Sequence, residues 1–146
     1  MNAWMYSGKK FDSKRVTLDK KSPDFLQGFV YKITHAETGK AYIGKKNFVR
    51  PVTKRVAGKK KRSLAESDWE MYHGSSEYLG ADIEKFGHDA FTREILHLSP
   101  NKAGCSYFEA FEIFSRLALL SPTKFYNEWV SCRIRRSHLK SLFISV

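Results

Sequence analysis

Apolar positions change their period several times along the chain, and each change marks an element. The stretch GFVYKITHAETGKAYIG, Gly28 to Gly44, alternates β-formers through FVYKIT, turns at HAETGK around Gly39 and returns as AYIG. That is the pattern of a short hairpin. SSEYLGADIEKFG puts Leu79 and Ile83 on one helical face, with Ser75 or Ser76 as cap and Gly87 as stop. AFTREILHL sets Phe91, Arg93 and Ile95 against Thr92, Glu94 and Leu96, which predicts a strand. SYFEAFEIFSRLALL predicts a long helix from near Ser106 that ends at Pro122. SDWEMY predicts a short helix with Ser67 as cap and Glu70 in capping-box position.

SPDFLQG reads as a turn or one helical turn and SPNKAG as a turn, while KFYNEWVSCRIRRSHLK gives a short extended piece and a helical tail. The order ββ–α–β–α predicts an α/β domain with a small, partly antiparallel sheet. Residues 1–22 read as a basic N-terminal arm, 23–130 as the domain, 45–66 as a basic loop inserted in it, and 131–146 as a basic tail.

Composition narrows the field. A chain of 146 residues with 42% hydrophobic and 14% aromatic content is one folded domain. No apolar run approaches the ~20 residues of a spanning helix, and MNAWMYSGKKFDSK lacks the apolar core of a secretory signal. Two cysteines, Cys105 and Cys132, without metal spacing read as reduced thiols of a cytoplasmic protein.

Charge changes the picture most. The net charge is +11. No acid stands between Glu37 and Glu66, a span that holds Lys40, Lys45, Lys46, Arg50, Lys54, Arg55, Lys59, Lys60, Lys61 and Arg62. A second acid-free stretch begins after Glu128, with Arg133, Arg135, Arg136 and Lys140. Such clustering suits phosphate neutralisation. An amphipathic membrane helix is excluded, because VRPVTKRVAGKKKRS is broken by Pro51 and Gly58. Nucleic acid is the expected partner.

The succession Phe29-Val30-Tyr31, Tyr42-Ile43-Gly44, LGADIEKFGHDAFTREIL, a helix bearing an acid, and Tyr126-Asn127 resembles the GIY-YIG nuclease superfamily. The two tyrosines stand eleven positions apart, and YIG matches its triplet literally. The likeness covers Gly28 to Asn127 and looks closest to small phage-type members, which would act in the cytoplasm of a host cell. It implies a small antiparallel three-stranded sheet flanked by helices, and hydrolysis of DNA phosphodiesters with one divalent ion, Mg²⁺ or Mn²⁺. Double-stranded DNA is the implied substrate, cut by a monomer or homodimer.

By the same resemblance Tyr31 is the candidate general base, with Tyr42 beside it. A free tyrosine, with a pKa of ~10, is a poor base at neutral pH, so nearby cations such as Lys45 must ease its ionisation. Glu109 is the implied metal ligand, and a carboxylate is the hard donor Mg²⁺ prefers. Against it, Ser106 and Glu109 have the spacing of a capping box, which leaves Glu112 as the fallback. Asn127 matches the family's late asparagine, and Gly44 allows close backbone approach. His73 is a candidate proton carrier or phosphate contact.

The family's usual arginine after YIG is missing, and Val52 stands at its offset. Arg50, Arg55 and Arg62 are the candidate substitutes, with Arg50 carried forward, since lysine lacks the bidentate fork. Lys46, Lys54, Arg55, Lys59, Lys60, Lys61, Arg62, Arg133, Arg135 and Arg136 are the expected DNA contacts, fixing position without reading bases. The missing arginine also supports an alternative, a non-catalytic nucleic-acid-binding module derived from a nuclease fold. A structural RNA-binding protein is a third reading, against which the tyrosine pair, acid and asparagine argue.

Overall fold

The computed structural model describes residues 2–144; Met1, Ser145 and Val146, at the outer ends of the expected arm and tail, lie outside the described residues. The predicted hairpin forms from β3, Gly28–His35, and β4, Ala41–Asn47, paired antiparallel with Tyr31 opposite Gly44. Its turn closes through the His35 amide on the Lys40 carbonyl at 2.9 Å, with Gly39 at a φ of +75°. β7, Phe91–Ser99, pairs antiparallel on the other side of β3. The register slips between Val30 and Tyr31, which face His97 and Ile95, so that Leu96 is the extra residue of a bulge.

The sheet has five strands where three were expected. β1, Trp4–Tyr6, adds parallel to β7, and β2, Lys9–Lys10, pairs with β1, giving the order β2-β1-β7-β3-β4. Part of the expected arm is therefore sheet. The physical cause is Trp4, 3% exposed, whose indole donates to the Trp69 carbonyl at 2.8 Å and packs edge-on against Phe29 and Tyr31. Phe11 joins it inside, stacked on Phe48.

Alternation along β3 divides the core in two. Phe29, Tyr31 and Ile33 share a cluster with Trp4, Phe48, Trp69 and with Leu79 and Ile83 of helix α1, Glu77–Phe86. Val30 and Ile43 pack on the other face against Ile113 of helix α2, Lys102–Ser115, and Ala118 beyond it. The α1 caps are as predicted, with Ser76 accepting from the Leu79 amide and Gly87 at a φ of +87°.

α2 starts a turn earlier than predicted because Asn101, not Ser106, caps it, accepting from the Gly104 amide at 2.7 Å. At SDWEMY only a 3₁₀ turn forms, Trp69–Met71, and Ser67 donates to the Asn47 carbonyl instead of capping.

The expected basic loop 45–66 is a continuation of β4 joined to a two-stranded ribbon. β5, Val49–Val56, and β6, Lys59–Glu66, pair in register from Val49 opposite Glu66 to Val56 opposite Lys59. Ala57 and Gly58 turn the chain with φ of +52° and +76°, both positive as the tight hairpin turn that matches strand twist demands. The tail ends in a 3₁₀ segment, Arg136–Leu142, tied to the start of α2 by Asn101 donating to Ser141.

Trp4→Ala should cost about 3–5 kcal/mol of unfolding free energy, the usual range for a buried tryptophan. A urea titration checks it, and a loss below about 1 kcal/mol would mean that β1 merely decorates the sheet edge.

Candidate active site at the edge of the sheet

β4 is the outer strand, so its free amides and carbonyls need partners. After α2 the chain returns alongside it, with the Ala41 amide donating to Lys124 O and the Tyr126 amide to Ala41 O. Asn127 completes the cover. Its side-chain oxygen accepts from the Ile43 amide at 3.0 Å and its Nδ2 donates to the Ile43 carbonyl at 2.8 Å. One buried amide thus satisfies both edge groups of the YIG triplet's central residue. Between this return segment, α1 and α2 lies a cleft of about 260 Å³, whose walls include Tyr42, Ser75, Glu109, Asn127 and Trp129.

The tyrosines take different places. Tyr31 is 1% exposed, with its phenol lying on Gly44 so closely that a Cβ there would overlap the hydroxyl. Burial, then the Tyr72 and Tyr42 phenols, raise its pKa well above the ordinary tyrosine value. Tyr42 is the phenol on the cleft wall, 3.5 Å from the Ser75 hydroxyl. Burial raises its pKa too; the Ser75 hydrogen bond opposes this, and Glu109 and Tyr72 add to it. Both are neutral at pH 7 and are suited to donating or relaying protons.

Tyr72 is a third phenol that the sequence reading missed. It meets Tyr31 edge-on at 5.9 Å and carries the Lys46 ammonium 4.2 Å over its ring. Arg93 holds it there, because the buried guanidinium donates to the carbonyls of Glu70 and Tyr72 at 2.9 and 2.7 Å and to Asn2 O at 2.9 Å. Desolvation lowers the Arg93 pKa to about 10.

The two carboxylates of α2 separate cleanly. Glu112 is buried and engaged, accepting from His97 and from Arg116, each at 2.7 Å. Although burial opposes it, these two partners hold the Glu112 pKa below its ordinary value. Glu109 stands half-buried in the cleft, with no hydrogen bond or ion pair to any described residue. Burial raises its pKa and Lys45 opposes the rise. Because the helix is capped at Asn101, no capping box holds Glu109, and Ser106 instead accepts from the Lys45 ammonium at 2.6 Å.

A carboxylate so placed, without a converging group of three or more His, Cys, Asp or Glu among the described residues, fits a hard cation held by one side chain and water.

Lys45 and Lys46 point to opposite faces. Lys45 reaches α2, whereas Lys46 pairs with Asp68 at 2.5 Å. Beside the cleft, a groove lined by Lys45, Lys46, Arg50, Lys102 and Ser106 carries the local positive charge. Of the candidate arginines only Arg50 lines this groove; Arg55 lies near the ribbon tip and Arg62 faces a separate hollow. His73 is not brought to the cleft. It bonds the Met71 carbonyl at 2.9 Å and packs on His88. Arg133, Arg135 and Arg136 are exposed on the tail, just after Cys132, whose thiol reaches Ser106 O. Trp129, 74% exposed on the cleft rim, was not anticipated.

The site thus combines a small mixed sheet with tyrosines on adjacent strands, an edge clamped by an asparagine, and on α2 one carboxylate, Glu109, left without a partner among the described residues. In comparison with known proteins, residues 4–130 match the family described as "Putative endonuclease segE, GIY-YIG domain". The chain belongs to this family of GIY-YIG endonuclease domains. No curated protein and no solved structure matches significantly. The family match begins at Trp4, within the stretch read as an arm.

Glu112→Ala strands a buried-side ion network, and should cost about 1–3 kcal/mol. Because the folded pKa of Glu112 is depressed, its contribution is present above the ordinary glutamate value and fades as pH falls through the lower folded one. Denaturant midpoints of wild type and variant should therefore converge on acidification below about pH 4.

Proposed function

We propose that the protein is a metal-dependent DNA endonuclease that hydrolyses a phosphodiester in the cleft between Tyr42 and Glu109. The observation that carries this reading is Glu109, a half-buried carboxylate without a hydrogen-bond or ion-pair partner among the described residues, on the wall of the same cleft as Tyr42. Membership of an endonuclease domain family supports DNA as the substrate. When bound at Glu109, Mg²⁺ or Mn²⁺ supplies Lewis acidity toward a phosphoryl oxygen.

The chain's own groups divide the rest of the work. Tyr42, neutral and at the cleft wall, orients the attacking water and takes part in moving its proton. Tyr31, the sequence candidate for general base, works from beneath, since its hydroxyl is buried against Gly44 and Tyr72. We assign it the orientation of the phenol cluster. Lys45, parked on Ser106, offsets the charge that develops on the phosphate. Arg50 takes the place of the family's missing arginine in the adjoining groove. Asn127 acts by holding β4. Lys46, Lys54, Arg55, Lys59 to Arg62 and the tail arginines grip the DNA backbone. The two free cysteines suit a reducing compartment such as the cytoplasm.

One observation favours the non-cleaving alternative: among the described residues no arginine lines the cleft itself. A plasmid assay separates the two readings. Nicking with Mg²⁺ that stops in chelator, and that falls ~10²-fold or more in Glu109→Ala while DNA retardation persists, is expected. Binding without nicking at any metal would establish the alternative. The raised Glu109 pKa adds a pH signature. Only the ionised carboxylate takes a cation, so cleavage should fall with acidification at a pH above the ordinary glutamate range, read from initial rates.

A further inference from the structure

The β5–β6 ribbon makes no sense as part of the core. From Thr53 to Ser63 every residue except those that turn the chain presents its side chain to solvent, and all positions are exposed. Cross-strand neighbours should attract, yet Lys54 stands directly opposite Lys61 and Arg55 opposite Lys60. Like charges so placed weaken a ribbon. No acid lies in the ribbon before Glu66 to relieve them.

The distribution is more telling than the amount. Side chains alternate between faces along a strand, so Lys54 and Lys61 project from one face and Arg55, Lys60 and Arg62 from the other. A strip laid along one DNA strand needs cations on one face only. Cations on both faces suit a slot with phosphates on both walls. Two strands ~4.8 Å apart with their side chains fit a major groove ~12 Å wide and not a minor groove ~6 Å wide. The fully exposed part, from Thr53 to Val56 against Lys59 to Arg62, extends about 13 Å, enough to reach the floor of a groove ~8.5 Å deep.

We propose that the β5–β6 ribbon inserts into the DNA major groove. This rests on the reading of DNA as substrate and goes beyond it, by giving the ribbon a groove and not merely a backbone to bind. The ribbon is anchored beside the site, because it leaves β4 through Phe48 and Val49, both buried, and its first arginine, Arg50, lines the groove beside Lys45. Groove insertion therefore sets where along the backbone the cleft comes to rest.

Dimethyl sulfate probing tests this on a short duplex saturated with protein in chelator, where cleavage is silent. Guanine N7 opens on the major groove and adenine N3 on the minor. Protection of N7 is expected with wild type. It should return to the free-DNA level in a variant with Thr53–Arg62 replaced by Asn-Gly, and in the quadruple variant Lys54→Ala, Arg55→Ala, Lys60→Ala, Lys61→Ala, which leaves the backbone intact. A retarded complex with N7 fully reactive, protection of adenine N3 alone, or N7 protection unchanged in the quadruple variant would overturn the proposal. Failure of wild type to retard DNA at all would instead remove the DNA reading itself, and the groove with it.

Discussion

An exposed sheet edge must have its backbone groups satisfied, and here that requirement builds the site. β4 carries the YIG triplet on the outside of the sheet, where water or another chain would otherwise pair with it. The chain covers it with its own segment 124–127, and Asn127 closes the last two groups on Ile43. To arrive there the chain must first run through α2 on one face of the sheet. The cover therefore fixes the helix that bears Glu109, and the cleft opens where the two faces meet around the edge.

The two faces have separate duties. The aromatic face, from Trp4 to Trp69, holds the phenols, and Arg93 ties Tyr72 to the first residues of the chain. The α2 face holds the carboxylates. There the protein spends one acid on cohesion and leaves the other free: Glu112 is saturated by His97 and Arg116, Glu109 by nothing among the described residues. Two glutamates three positions apart on a helix lie near one another, yet the neighbours of each decide its chemistry.

Sequence periodicity revealed the hairpin, α1, β7 and the helix of Glu109, because each buries one regular face. It failed where burial depends on a few side chains far apart. Trp4 sits in a short, weakly patterned segment, and its distant partners Phe29, Tyr31 and Trp69 hold that segment as a strand. The ribbon was hidden because Pro51, Gly58 and seven cations oppose β-propensity; a free two-stranded ribbon tolerates proline and needs glycine at its turn. A late cap at Ser106 matched the spacing rule, but Asn101 reaches Gly104 first and starts the helix there. Tyr72 and Trp129 carried no periodic signal at all. Which arginine serves the cleft was unreadable, since Arg50 comes near Lys45 only through the turn out of β4.

The opposed cations of the ribbon have a consequence for how the protein answers to its medium. Dissolved ions shield Lys54 from Lys61 and Arg55 from Lys60, so a more concentrated electrolyte relaxes the strain of the unliganded ribbon. The same ions compete with these side chains for phosphate. Ionic strength thus acts on one element with two signs, firming it when alone and loosening its hold on a polyanion.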